Sequence, residues 1–148
     1  MFSFQLLNDP ESFSIDQSRV SDILFRISKA VSDEQNGTIN IAFLSDEEIQ
    51  ALNKEYRGID NSTDVLSFHY YDDFSDVEDD EIIGEIILSE SRVLSQSEEH
   101  EHTVINEAEI LIIHGVLHIL GYDHENDTDY EEMWQFERVI REKMNLTI

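Results

Sequence analysis

Apolar positions in this chain follow two periods, alternating over short segments and recurring every three or four residues over longer ones, and together they predict a mixed order of strands and helices. Phe2 to Leu7 reads as a first strand. Ile15 to Val31 reads as an amphipathic helix with Ile15, Val20, Ile23, Leu24, Ile27 and Val31 on its apolar side. Gly37 opens a second strand, Thr38 to Leu44. Ser45 with Glu48 is a capping-box pair, which starts a helix running to about Tyr56 that Gly58 closes. Asp64 to Tyr70 is β-branched and aromatic enough for a third strand, and Ile82 to Leu88 makes a fourth; the two are expected to pair antiparallel across an acidic connection. Helices follow from about Ser89 to Glu99, Val104 to Leu120 and Thr128 to Met144. The middle one is apolar nearly all round, through Ile105, Ala108, Leu111, Ile112, Val116, Leu117 and Leu120, so it belongs at the centre of the molecule. The expected fold is α/β with an α+β-like order, one mixed sheet of about four strands packed with about five helices, in a single domain spanning residues 1–148.

Composition narrows the functions available. No apolar run approaches the roughly eighteen residues of a membrane span, and Met1 to Asp9 has neither the basic start nor the apolar stretch of a signal peptide, so a cytoplasmic location is expected. Cysteine is absent, which removes disulfides and thiolate ligands together. A formal charge of −25, from 34 acidic against 9 basic residues, opposes long-range attraction to nucleic acid or an anionic membrane and favours a cation or a basic protein. The densest acidic stretch, Asp72 to Glu81, lacks the ligand order of a calcium loop and reads as a solvated hairpin connection.

The chemistry concentrates in His114-Gly-Val-Leu-His118-Ile-Leu-Gly121-Tyr-Asp-His124, which holds three of the chain's 6 histidines. On a helix, His114 and His118 stack on one face about 5–6 Å apart between β-carbons. Gly121 ends the helix in a left-handed conformation, and the turn can bring His124 back toward them. Three imidazoles without a thiolate suit one zinc ion, and three protein ligands with an open fourth position are the catalytic pattern. The segment shares H-x-x-G-x-x-H with the long zinc-protease motif, yet Gly115 stands where those enzymes carry the glutamate that takes a proton from water. A phosphodiester is therefore a better substrate than a peptide.

This string is similar to the signature of the YbeY family, bacterial endoribonucleases of ribosomal-RNA maturation. Leu52-Asn53-Lys54-Glu55-Tyr56-Arg57 with Thr63-Asp64-Val65-Leu66-Ser67-Phe68 resembles the family's second block, and Ile83-Gly84-Glu85-Ile86-Ile87-Leu88-Ser89 its third. The resemblance reaches from about residue 40 to 125. It implies a metal-dependent, single-strand-specific endoribonuclease acting in ribosomal-RNA maturation and ribosome quality control. His114, His118 and His124 would bind zinc, which activates water or polarises the scissile phosphate, and Arg57 would lie in the same cleft. A planar guanidinium there can hold a phosphate through two parallel charge-assisted hydrogen bonds and steady its developing charge. Ser62 and His69 depart from prolines of the family pattern and are expected to alter loop stiffness. His102 resembles a family histidine, whereas His100 matches nothing; both read as exposed helix-end residues. Asp123 either orients a ligand imidazole or caps the turn, while Trp134 and Phe136 read as packing residues.

The expected partners are ribosomal RNA and basic ribosomal proteins or assembly factors, with no DNA and no membrane. The alternative is a ribosome-assembly adaptor in which the metal is structural and the acidic surface binds basic ribosomal proteins. A zinc hydrolase of peptides or small molecules would need a carboxylate from elsewhere, such as Glu85 or Asp64, beside the metal.

Overall fold

The structure is a computed structural model that describes residues 2–31, 36–71, 77–122 and 127–146. Its elements run β1 (Phe2–Asn8), α1 (Gln17–Ala30), β2 (Gly37–Leu44), α2 (Asp46–Arg57), β3 (Val65–His69), β4 (Ile82–Ser89), α3 (Glu90–Glu99), α4 (Val104–Ile119) and α5 (Asp127–Lys143). The strands form one sheet in the order β1-β2-β4-β3. β1 and β4 each pair parallel with β2, whereas β3 pairs antiparallel with β4 from Val65 opposite Leu88 to His69 opposite Gly84. The sheet is thus mixed and the fold α/β, as the apolar periods predict.

Local chemistry sets the helix ends. The Ser45 hydroxyl accepts from the Glu48 N–H at 3.1 Å and the Glu48 carboxylate accepts from the Ser45 N–H at 3.3 Å, completing the expected capping box. Gly58, at φ 70°, closes α2. Asp16 caps α1 through the N–H groups of Ser18 and Arg19.

Alternation along β4 divides the core between the two faces of the sheet. Ile86 and Leu88 join Ile39, Ile41 and Phe43 of β2 against α1, α4 and α5, while Ile87 packs with Leu66, Ile49 and Leu52 in a smaller cluster under α2. Helix α4 lies directly on the sheet, and two glycines permit that approach. A β-carbon on Gly84 would stand 2.6 Å from the Phe68 carbonyl oxygen and 2.8 Å from the Ile119 side chain; one on Gly115 would meet three atoms of Ile86 at 3.1 Å. Gly84→Ala is expected to destabilise the protein by about 1–3 kcal/mol, because the backbone carbonyl cannot yield as a side chain can. Chemical denaturation of the two proteins measures it.

Two expectations about the core need correction. Ile105 is 36% exposed, because the first turn of α4 stands at the surface beside the end of α3, and Leu120, the C-cap residue at the other end of the helix, is only half-buried, whereas Ile110, Ile113 and Ile119 are buried. The interior also takes in Glu107, Glu109 and Glu137, all at most 5% exposed. A buried carboxylate needs a partner, and Glu109 accepts a forked pair from Arg19, Nε at 2.8 Å and Nη2 at 2.9 Å, which ties α1 to α4. The acidic connection is described only from residue 77 onward, where Val77 is buried and Glu78, Asp79 and Asp80 are exposed.

Candidate functional site

Helix α4 carries His114 and His118 one turn apart, and their Nε2 atoms converge to 3.0 Å. Two donors on one tetrahedral ion with bonds of about 2.0–2.1 Å stand roughly 3.3 Å apart, so the pair fits a zinc-class cation with little movement. Its proton pattern suits the same role. The His114 Nδ1–H donates to the buried Glu137 carboxylate at 2.5 Å, which sets the tautomer and makes Nε2, the atom that meets His118, the lone-pair side of the ring. Arg141 in turn donates to Glu137 at 3.3 Å. His118 also lies in the last turn of α4, where the helix dipole favours positive charge.

The turn after α4 is a Schellman motif. Gly121 takes φ 98°, its N–H meets the His118 carbonyl at 3.0 Å, and the Tyr122 N–H meets the Leu117 carbonyl at 3.0 Å. The chain is folded back past the end of the helix as the glycine predicts. His124 and Asp123 lie outside the described residues, as does any contact they make.

Across from the histidines, Arg57 ends α2. Its Nη2 donates to the Ser67 carbonyl at 2.7 Å and its guanidinium lies 5.6 Å from the centre of the Phe68 ring. A cavity of about 710 Å³ opens here, lined by Arg57, His114 and His118 together with Asp64, His69 and Tyr122. One bond to Ser67 uses one of five guanidinium N–H donors.

The loop forming that wall is anchored by Asp46 at the start of α2. Its carboxylate accepts from the hydroxyls of Ser62 and Ser89 and from Arg92 Nε at 2.9 Å. Chiefly through the Ser62 hydroxyl, these bonds hold the Asp46 carboxyl below its ordinary range. Ser62, expected to change only loop stiffness, thus supplies a specific hydrogen bond. A depressed folded-state pKa contributes stability above the unfolded value, near 3.9, and loses it as pH falls through the folded value. Asp46→Asn is therefore expected to lower the melting temperature at pH 7, with the difference from wild type shrinking below about pH 4.

The family model described as Endoribonuclease YbeY matches residues 5–145. The chain belongs to that family. An Endoribonuclease YbeY of Clostridioides difficile is 40% identical over 131 residues, covering 87% of this chain and 86% of the relative. One from Carboxydothermus hydrogenoformans is 36% identical over 140 residues, covering 94% and 90%. A solution structure of a Thermotoga maritima protein superposes with a TM-score of 0.60 at 27% identity, covering 97% of this chain and 89% of that one. The activity that the family's name carries is cleavage within an RNA chain, an endoribonuclease function.

Within this family member, Gly115 has a physical reason. Its α-carbon faces Ile86 on the sheet, so a glutamate there would enter the core. Three other positions escaped the sequence reading. His69, at the end of β3, lines the cavity. Glu137 sits twenty-three residues beyond His114, on a helix whose pairing with α4 no local pattern discloses. His102 does not stand on an exposed end; its side chain is 10% exposed and faces Glu107. Trp134 and Phe136 pack as expected, Phe136 against Tyr122 at 4.8 Å between ring centres and Trp134 beside Arg141. Glu137→Gln is expected to weaken metal binding roughly 10–100-fold, the usual cost of losing a carboxylate behind a ligating histidine, as measured by competition with a chromophoric chelator.

Proposed function

We propose that this chain cuts single-stranded ribosomal RNA during its maturation, with one zinc ion held by His114, His118 and His124 and with Arg57 as the catalytic residue that steadies phosphate charge. The observation that carries this reading is one cavity lined by both converging imidazoles and by the arginine. The metal would supply Lewis acidity toward a phosphate oxygen or a water molecule.

The side chains have distinct tasks. Glu137 keeps the His114 proton on Nδ1, so that Nε2 remains a lone-pair donor. Arg57, braced on the Ser67 carbonyl, turns its other N–H groups to the phosphodiester and gains most when charge gathers on the oxygens in the transition state. With position 115 closed to a carboxylate, His69 and Asp64 are, among the described residues lining the cavity, the proton acceptors besides the two imidazoles of α4. A phosphodiester fits this arrangement of a cation site and an arginine better than a peptide does.

The charge of −25 shapes how RNA is met. Of the basic residues near the cleft, Lys54 is paired with Asp60 at 3.8 Å, so attraction to the RNA backbone is local to Arg57 and the metal. Basic ribosomal proteins or assembly factors, drawn by the acidic surface, would bring the substrate to the site. The adaptor reading rests on that same charge. Incubating the zinc-loaded protein with a precursor ribosomal RNA containing paired and unpaired segments separates the two: cleavage confined to unpaired segments supports the nuclease, while binding of basic ribosomal proteins without any cleavage supports the adaptor.

A further inference from the structure

We infer that His100, His102 and Glu107 form a second divalent-cation site, of zinc-class chemistry, that staples the end of α3 to the first turn of α4. Their ligand atoms all lie within 4.8 Å of one another. Glu107 is 2% exposed, and each of its oxygens faces an imidazole: Oε1 lies 2.7 Å from His100 Nδ1 and Oε2 lies 3.9 Å from His102 Nε2. A buried carboxylate is retained only with a compensating charge or full hydrogen bonding, and two neutral imidazoles supply at most one proton each.

The second observation is on His102 itself. Its side chain is nine-tenths buried, yet its Nδ1 has no hydrogen-bond partner. A buried imidazole with one nitrogen unpartnered and the other 3.9 Å from a carboxylate is poorly satisfied by hydrogen bonding alone. A cation between Nε2 and Oε2 would satisfy those two atoms, which stand too far apart for a hydrogen bond, while Nδ1 keeps the ring proton and takes no part in the site. Two histidines and one glutamate are a known zinc ligand set, with the fourth position left to water. Here that position would open to solvent beside His100, whose side chain is 52% exposed.

The backbone is arranged to make the cluster. Helix α3 ends in a Schellman turn, the Glu101 N–H meeting the Glu98 carbonyl at 3.3 Å and the His102 N–H the Ser97 carbonyl at 2.9 Å. Glu101 takes φ 59° without being glycine, which turns His102 back toward α4. Glu98, Glu99 and Glu101, adjacent to His100 and His102 in the sequence, add negative charge that favours a cation at this end of α3. Glu107 and His114 are seven residues apart on α4, hence on one stripe and about 10.5 Å along the axis. A staple at Glu107 would therefore fix the helix that presents His114 and His118.

Zinc content per chain after saturation and gel filtration tests the site in four proteins. Wild type is expected to hold two ions, His118→Ala one, His100→Ala/His102→Ala one, and the triple variant none. His100→Ala alone, at an exposed position, guards against loss of fold and should weaken the second ion at least tenfold. Cobalt loaded into His118→Ala should give a visible ligand-field spectrum that disappears with His102→Ala. An unchanged zinc content in His100→Ala/His102→Ala overturns the proposal whatever His118→Ala does, since that variant reports on the other site alone.

Discussion

His118→Ala is expected to abolish RNA cleavage, lowering the initial rate on a single-stranded substrate by at least about 10²–10³-fold, the loss typical when one preorganised transition-state stabiliser is removed. The fold should survive. His118 is half-buried at the cavity edge, whereas the side chains that hold α4 to the sheet, Ile112, Val116 and Ile119, are 0–1% exposed and untouched. Far-UV circular dichroism and the melting temperature of the metal-free proteins should be nearly unchanged, and zinc should no longer raise the melting temperature through this site. A structural metal would give the opposite pair of results, a collapse of stability with turnover per folded molecule retained.

Arg57→Ala is the second large effect, a fall in kcat/KM of about 10²–10³-fold, or about 2.7–4 kcal/mol of transition-state stabilisation. Metal content should stay at the wild-type level, because Arg57 faces the cavity from α2 and not from the helix of the histidines. Arg57→Lys should recover only part of the rate, since an ammonium keeps the charge but loses the planar fork. A helix-end arginine that merely satisfied carbonyls would move stability and leave cleavage intact. Equal cleavage by Arg57→Ala and wild type would remove Arg57 from the mechanism.

Local and periodic features of this fold are legible in the sequence. The Ser45 and Glu48 pair, the glycines at 58 and 121, and the alternating residues of β2 and β4 each act within a few residues and predict their own element. The antiparallel pairing of β3 with β4 is the one expected across the acidic connection. Long-range polar contacts are another matter. Glu107, Glu109 and Glu137 look like surface carboxylates on amphipathic helices until Arg19, His100 and His114 arrive from other elements to partner them. Ile105 has the right spacing for the buried face of α4 but stands at its exposed first turn, a fact of packing and not of period. His69 was masked in the same way: one residue at a strand end says nothing about the cavity it lines until α4 is laid across the sheet. The spacing of His114 and His118 is local, and so is visible, while the carboxylate that sets the tautomer of His114 comes from α5.

The central claim is that RNA cleavage depends on a cation at the histidines of α4. Its most direct test follows cleavage of one single-stranded precursor ribosomal RNA by a single preparation, first as loaded with zinc, then after removal of metal by a chelator, then after zinc is restored, with metal content measured at each stage. The account predicts that cleavage disappears with the metal and returns with it in wild type, and that zinc restores nothing to His118→Ala. Cleavage that persists at the full rate in the stripped protein would contradict it.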